Sequence, residues 1–297
     1  MIKQNIHSIS LSDFLRARVQ AYGQLLKFRL SLLVSVSAVF GFAMASQGSA
    51  SWESLLWIGL GGLLITGASN SLNQLFEKEL DAKMSRTSGR PLPEGRVGSG
   101  EVLVYALLLS VVGISILGYF FNLPAALLGI IGLLSYAFVY TPLKRITPFA
   151  VFVGAIPGSL PPLIGWVAYT GSLDAGGWLL FAFQFFWQFP HFWAIAWIMD
   201  EDYQKAGFKM LPTASGKSKK SASLILLYTL CLVPMVLFPL QLGMIQLWSA
   251  LTLVGLAVFF AFPAWKLHRS LDTKYARKLM FASFLYLPLM ELIFIAS

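Results

Sequence analysis

The sequence predicts an all-α polytopic membrane protein, a bundle of nine transmembrane helices around an intramembrane cavity. Three observations carry that expectation. The 297 residues are 57% hydrophobic and 12% charged, with a mean hydropathy of +0.71. Soluble domains carry about 25% charged residues, so this chain has too little polar material to coat a water-soluble fold. Nine apolar runs, each near the roughly 20 residues needed to cross the hydrocarbon, fall at 28–46, 52–73, 102–121, 123–140, 148–169, 176–199, 222–241, 244–265 and 278–296. Laid alternately across a bilayer, these runs put all 22 Lys and Arg residues on one side, in the N-terminal stretch through Arg29 and in 74–101, 141–147, 200–221 and 266–278. Basic residues concentrate in cytoplasmic loops, so the N-terminus is expected inside and the C-terminus outside. A wrong span count would scatter those charges.

The net charge of +9 is therefore mainly a topology signal. Its bases sit in separate short loops, so nucleic acid is not an expected partner, whereas membrane lipid is. One cysteine, Cys231, inside an apolar run excludes a disulfide framework or a thiolate metal site. Residues 1–27 lack a short apolar stretch before a small-residue cleavage site, which argues against a cleaved secretory signal; their scarcity of acids leaves a mitochondrial presequence open. They read as a cytoplasmic N-terminal segment, and 28–297 as a single intramembrane domain. His7 and His268 read as incidental.

The second run ends in an unusual way. After one charge between residues 52 and 67, Glu77, Lys78, Glu79, Asp81, Lys83, Arg86 and Arg90 arrive together. If the second helix continues past the membrane surface, Asn73, Glu77 and Asp81 stack on one face at i, i+4, i+8, with Asn70 extending it. A stripe of amide and carboxylate oxygens suits Mg²⁺, which sits between one or two carboxylates and substrate phosphates. The plainer alternative is a solvated helix end with local pairs such as Glu79 with Lys83. Arg86 and Arg90 follow in "RTSGRPLPEGR", where guanidinium groups can bind phosphate oxygens bidentately. Lys144 and Arg145 come at a tight turn in "YTPLKR", on the same side.

The fifth run, "GAIPGSLPPLIGW", alternates small residues that let helices approach with prolines that open them. In the sixth, nine of residues 181–197 are aromatic, and Gln184, Gln188 and His191 form a polar stripe at i, i+4, i+7. Polar groups inside a span face the interior and mark function, and Pro190 is expected to kink the helix there. The stripe points toward the second acidic cluster, Asp200, Glu201 and Asp202. The two acidic clusters, each after an even-numbered helix, hint at a degenerate internal repeat. Glu291, near the outer end of the ninth span, has no evident purpose. Together the residues describe an aromatic-walled cavity with acids and bases at its cytoplasmic mouth, fit for a metal-bound diphosphate carrying a hydrocarbon tail.

The pattern N-x-x-x-E-x-x-x-D-x-x-M-x-R-T-x-x-R-P-L-P-x-G-R, over residues 73–96, resembles the intramembrane prenyltransferases of the UbiA type. "TPLKRITPFAVFVGAIPGSLPPLIGW" and "WQFPHFWAIAWIMDEDYQKAGFKMLP" are similar to its haem O synthase branch, and the resemblance covers most of residues 20–295. It implies a nine-helix bundle, farnesyl diphosphate and haem B as substrates, Mg²⁺ as the activating ion, and the bacterial inner membrane as location. Carried over by position, Asn73, Glu77, Asp81 and Asp202 would be catalytic residues that hold metal. Arg86, Arg90, Lys144 and Arg145 would bind diphosphate, with Lys144 also catalytic. His191 stands where other branches often have an aspartate, which implies a haem-specific catalytic or binding role. The implied reaction ionises the allylic diphosphate, shields the farnesyl cation with aromatic faces such as Phe185, Phe189 or Trp193, and adds haem vinyl and then water. The product would serve haem A synthase or terminal-oxidase assembly, with which the protein could associate. Two other readings stay open: a related prenyltransferase acting on an aromatic acid or quinone precursor, and a secondary transporter of an anionic substrate with a broken helix and a basic gate.

Overall fold

The computed structural model describes residues 11–297; His7 lies outside them. Among these residues regular structure is entirely helical, with nine long rods. These are α2 (Phe28–Ser46), α3 (Trp52–Phe76), α5 (Ser99–Phe120), the run Leu123–Leu143, α8 (Ala150–Thr170), α9 (Ala175–Ile198), the run Lys219–Gln241, α13 (Leu247–Ser270) and α14 (Thr273–Ile295). Eight are long and apolar enough to cross a membrane. The ninth, α9, has the length, but Gln184, Gln188, His191 and its tryptophans lower its hydropathy. The run Leu123–Leu143 comprises α6 (Leu123–Leu134), a π-helical turn over Ser135–Tyr140 and α7 (Thr141–Leu143). The run Lys219–Gln241 comprises α11 (Lys219–Met235), with Pro234 inside it, and α12 (Leu237–Gln241).

An element not foreseen from sequence precedes the first span. Helix α1 (Leu11–Leu26) buries Ala21 and Leu25 against Leu92, Val97 and Val102, and leaves Leu11, Phe14, Leu15 and Val19 exposed. Asp13, Arg16 and Arg18 interrupt its apolar pattern, so it has no twenty-residue signature. Its apolar outer face with charges alongside is that of a helix lying in a membrane interface.

The expected continuation of the second helix past the surface is not what the chain does. Helix α3 ends at Phe76, Glu77 turns at φ −103°, ψ 10°, and the short α4 (Lys78–Asp81) follows. The hydrogen-bond ladder survives the elbow: Glu77 N donates to Asn73 O (3.0 Å) and Asp81 N to Glu77 O (2.8 Å). The register of Asn73, Glu77 and Asp81 is therefore kept while the chain changes direction. Helix α9 ends in the same manner, with Met199 at φ −97°, ψ 14° before α10 (Asp200–Lys205). Both acidic clusters sit on elbows of nearly one geometry. Pro190, expected to kink α9, lies inside an uninterrupted helix.

Two apolar cores flank the interior. One joins α9, α11, α13 and α14 around Trp197, Phe260 and Tyr286. The other joins α2, α3, α5, α6 and α8 around Ile58, Leu117 and Leu163. Helices α2 and α8 touch through glycine: a Cβ on Gly41 would lie 2.0 Å from the Pro162 carbonyl oxygen, and one on Gly165 would lie 1.9 Å from that of Ala38. Between the two cores runs the cavity that the sequence anticipates.

Candidate active site

Two adjacent spaces occupy the interior. A polar chamber of about 200 Å³ opens beside the α3–α4 elbow, walled by Lys27, Asn73, Glu77, Asp81, Arg86, Arg90, Lys144 and the rings of Tyr136, Tyr140 and Tyr203. An apolar cavity of about 310 Å³ continues between the cores, and Leu30, Tyr136 and Tyr140 border both.

Both carboxylates of the chamber are already paired, Asp81 with Arg90 and Glu77 with Lys144. Asn73 donates from Nδ2 to Glu77 Oε2 (2.9 Å) and to Thr141 Oγ1 (3.2 Å). Glu77 Oε1 lies 2.6 Å from Lys144 Nζ but outside hydrogen-bonding geometry, so the contact is ionic. Arg90 donates to Asp81 Oδ2 at 2.6 Å. Asp81 is wholly buried, and its other oxygen, Oδ1, has no partner. Lys144 rides over the rings of Tyr140 and Phe208, 5.0 and 5.2 Å from their centroids, which confines its ammonium to the chamber.

Asp202 and Arg145 stand apart from this group. The Asp202 carboxylate accepts from Ser85 Oγ (2.9 and 2.8 Å), from the Arg86 backbone N–H (3.3 Å) and from Lys205 Nζ (3.1 Å). The Ser85 hydroxyl first, then Lys205, holds its carboxyl below the usual carboxylate range. The second acidic cluster thus fastens the loop that carries Arg86 onto the chamber. Arg145 is exposed and does not reach the chamber wall.

Sequence reasoning missed Lys27. It joins α1 to α2 in the left-handed region, φ 48° and ψ 53°, where a non-glycine residue is uncommon. Burial first, then the cations Arg90 and Lys144, push its ammonium down to about 7, although the side chain still borders the open chamber. An arriving anion would restore its charge. The available sequence signal was a lysine at the first span's edge, indistinguishable there from an ordinary anchor.

In the apolar cavity the Gln184–Gln188–His191 stripe does face inward. Gln188 Nε2 is held by Ser159 Oγ (2.7 Å) and the Ala155 carbonyl (3.2 Å). Gly158 makes room for it, since a Cβ there would lie 2.0 Å from Gln188 Oε1. His191 Nδ1 meets Ser283 Oγ at 2.7 Å, and its ring stacks on Trp187 with centroids 4.8 Å apart. The aromatic shield is corrected by the structure. Phe185, Phe189 and Trp193 turn away into a cluster with Phe152 and Tyr228. The rings that border the cavity are Trp187, Phe192 and Phe284, with Tyr136 and Tyr140 at the chamber end. Helical spacing placed the rings on α9; which face meets α11 was not in the local pattern.

Among the described residues no group of three or more His, Cys, Asp or Glu side chains is close enough to cage a metal ion. A closed cage is not what Mg²⁺ requires, since it takes one or two carboxylates plus substrate phosphates and water. Asp81, whose Oδ1 is unpartnered, lines the chamber with Glu77 and Asn73, and that donor set fits the demand.

A bundle of apolar rods with a chamber of acids and bases beside an apolar cavity is the architecture of an integral membrane protein with an interior site for an amphipathic guest. Residues 34–287 match the UbiA prenyltransferase family. The chain belongs to that family and is a multi-pass prenyltransferase. It is 44% identical over 279 residues to a protoheme IX farnesyltransferase of Cytophaga hutchinsonii, covering 94% of this chain and 98% of that one. It is 38% identical over 282 residues to the protoheme IX farnesyltransferase of Flavobacterium johnsoniae, covering 93% of each. Its fold resembles that of a digeranylgeranylglyceryl phosphate synthase, at a TM-score of 0.78 and 20% identity, over 94% of this chain and 98% of that chain. A UbiA homolog from Archaeoglobus fulgidus bound to GPP and Mg²⁺ superposes at a TM-score of 0.67 and 15% identity, over 93% and 100%.

Proposed function

We propose that this chain transfers the farnesyl group of farnesyl diphosphate to a vinyl group of haem B, with addition of water, giving haem O and diphosphate, and that it depends on Mg²⁺. The observation that carries the reading is the boundary at Leu30, Tyr136 and Tyr140, where the polar chamber and the apolar cavity lie side by side and share a wall. A prenyl diphosphate crosses that kind of boundary at its reactive carbon. The full-length similarity to protoheme IX farnesyltransferases selects the acceptor.

In this reading Lys27, Arg86, Arg90 and Lys144 bind the diphosphate oxygens, and Glu77, Asp81 and Asn73 hold the metal. Mg²⁺, when bound, neutralises charge that builds on the leaving diphosphate. The chamber's bases are preorganised for the same task, which is where electrostatic catalysis gains most. Glu77 and Asp81 would exchange Lys144 and Arg90 for metal while those two bases exchange carboxylate for phosphate, and Lys27 and Arg86 add positive charge for the rest of the diphosphate. Ser85 and Asp202 keep the Arg86 loop seated, so Asp202 acts as a positioning residue. Tyr136 and Tyr140, at the boundary of the two spaces, offer ring faces to the allylic cation, while Trp187, Phe192 and Phe284 line the apolar cavity beyond them.

Purified protein given Mg²⁺, farnesyl diphosphate and haem B is expected to form haem O, read by mass spectrometry. A prenylated aromatic acid or quinone precursor in place of haem O would move the chain to another branch of the family. Prenyl diphosphate left intact while an anion moves across proteoliposomes would make it a transporter. We place the protein in the bacterial inner membrane with its N-terminus inside and C-terminus outside. A cysteine at the exposed Ser172 is then expected to react with an impermeant thiol reagent on intact cells, and one at the exposed Ser88 is not. The opposite pattern would put the chamber on the wrong face. Haem O made there would pass to haem A synthase or to a terminal oxidase under assembly.

A further inference from the structure

Among the described residues three other than glycine hold a left-handed backbone: Lys27, Gln47 and Leu271. Gln47 and Leu271 follow the ends of helices, whereas Lys27 is the single residue between α1 and α2. Sparsely populated backbone of this kind persists where its surroundings over-determine it. The last carbonyls of a helix have no partner within that helix, and side chains from α2 and α3 satisfy those at the end of α1. Gln74 Nε2 donates to the Leu25 carbonyl at 2.8 Å and reaches that of Gln24 at 3.4 Å. Ser31 Oγ donates to the Leu26 carbonyl at 2.6 Å, and Asn70 Nδ2 in turn donates to Ser31 Oγ at 3.1 Å. The Leu26 side chain rests on Gly67, where a Cβ would stand 2.0 Å from its Cδ1. Gly67, Asn70 and Gln74 fall at i, i+3 and i+7, so one stripe of α3 grips the corner.

The two side chains that meet the carbonyls touch neither interior space. Gln74 is 1% exposed and Ser31 is 0% exposed, and both are absent from the walls of the chamber and of the cavity. Lys27, the residue they fix, does wall the chamber, beside Glu77, Asp81, Arg90 and Lys144. A lysine is a point charge on a flexible stem, so the place of its ammonium depends on where its backbone is held. Gln74 directly follows Asn73, whose amide donates to Glu77. One turn of α3 therefore grips the corner and supplies part of the chamber wall. We propose that Gln74 and Ser31, with Asn70 between them, are positioning residues that hold the α1–α2 corner so that Lys27 meets the diphosphate in register with the groups carried by α3. The inference rests on the diphosphate reading above and deepens it by tying one of its bases to a buried amide and a buried hydroxyl.

The test is a double-mutant cycle on the full-length protein, read as the dissociation constant of inorganic diphosphate with Mg²⁺. Lys27→Gln is expected to weaken binding about tenfold, the loss of one charge-assisted contact. Gln74→Met, which keeps the length of the side chain but not its donors, and Ser31→Ala are each expected to weaken it by roughly three- to tenfold. In the Lys27→Gln background neither is expected to weaken it further, because a residue that acts through Lys27 has nothing left to position. Haem B affinity, measured alongside, is expected to stay at the wild-type value in Gln74→Met and Ser31→Ala. Should Gln74→Met fail to fold, Ser31→Ala alone carries the cycle. Equal losses in both backgrounds, or no loss in either single variant, overturn the positioning role and leave the farnesyl-transfer reading standing. Native affinity in Lys27→Gln overturns the inference together with the assignment of Lys27 to diphosphate. A wild type that turns over no prenyl diphosphate overturns the inference and the reading beneath it.

Discussion

Asp81→Asn is expected to lower product formation by two to three orders of magnitude, the loss typical of removing one preorganised electrostatic contact from a transition state, and Glu77→Gln to do the same. Asparagine keeps the shape of Asp81 and one oxygen for Arg90, whose contact is 2.6 Å, but withdraws the charge from the unpartnered Oδ1. Glutamine likewise leaves the Asn73 contact to Glu77 Oε2 intact while unpairing Lys144. Both positions are buried, at 0% and 4% exposure, so detergent-extracted protein must be checked for a monodisperse, helical state. A fold defect and a metal defect separate on a second readout: in Asp81→Glu, the Mg²⁺ concentration for half-maximal rate is expected to rise, which a merely destabilised protein would not show. Near-normal rates for Asp81→Asn or Glu77→Gln would remove the metal-holding assignment.

The charge inventory of the chamber explains why so large an effect can come from one atom. Four bases and two acids wall it, so the metal-free chamber is formally positive before a diphosphate arrives. In the proposed function each carboxylate would do two jobs in turn, pairing a base in the resting protein and holding the metal in the loaded one, so removing it would worsen both states.

How much of this was legible in the sequence depends on what enforces each feature. The nine rods were readable because a bilayer penalises unsatisfied backbone at every residue of a span. Asn73, Glu77 and Asp81 were readable because the elbow at Glu77 preserves helical hydrogen bonding while turning the chain. The elbow itself was not, since nothing in "LFEKEL" breaks a helix; the turn brings α4 and the 82–98 loop over the chamber. Asp202 and Arg145 illustrate the opposite difficulty. Their neighbours in sequence line the chamber or support its walls, but only the fold decides that Asp202 meets Ser85 across 117 positions while Arg145 faces out. Lys27 and Glu291 each read as an isolated charge at a helix end, and their partners come from other helices.

His191→Ala is expected to impair the reaction at the acceptor rather than at the diphosphate. Its Nδ1 is engaged by Ser283 Oγ at 2.7 Å, and Trp187 fixes the same segment twice, stacking on the imidazole and donating its Nε1 to the Ser283 carbonyl at 3.0 Å. A ring held at Nδ1 and on one face has Nε2 left for a guest, the arrangement by which a second partner sets which nitrogen of a histidine acts. The chamber lies elsewhere: His191 lines the apolar cavity and not the chamber that Glu77 and Asp81 wall, so it is not placed to hold their metal. Two roles toward haem remain, and they differ in their spectra. As an iron ligand, His191 would make His191→Ala shift the Soret band of haem-loaded protein and weaken haem binding, with Ser283→Ala giving a smaller change of the same kind. As the base that takes the proton of the captured water, it would leave the band and the affinity in place while product formation falls about a hundredfold or more, within the range of general-base losses. Farnesyl diphosphate binding should be unchanged in either case. An alanine variant with native spectrum, native haem affinity and full turnover would reduce the Ser283–His191–Trp187 cluster to a fastening between α9 and α14.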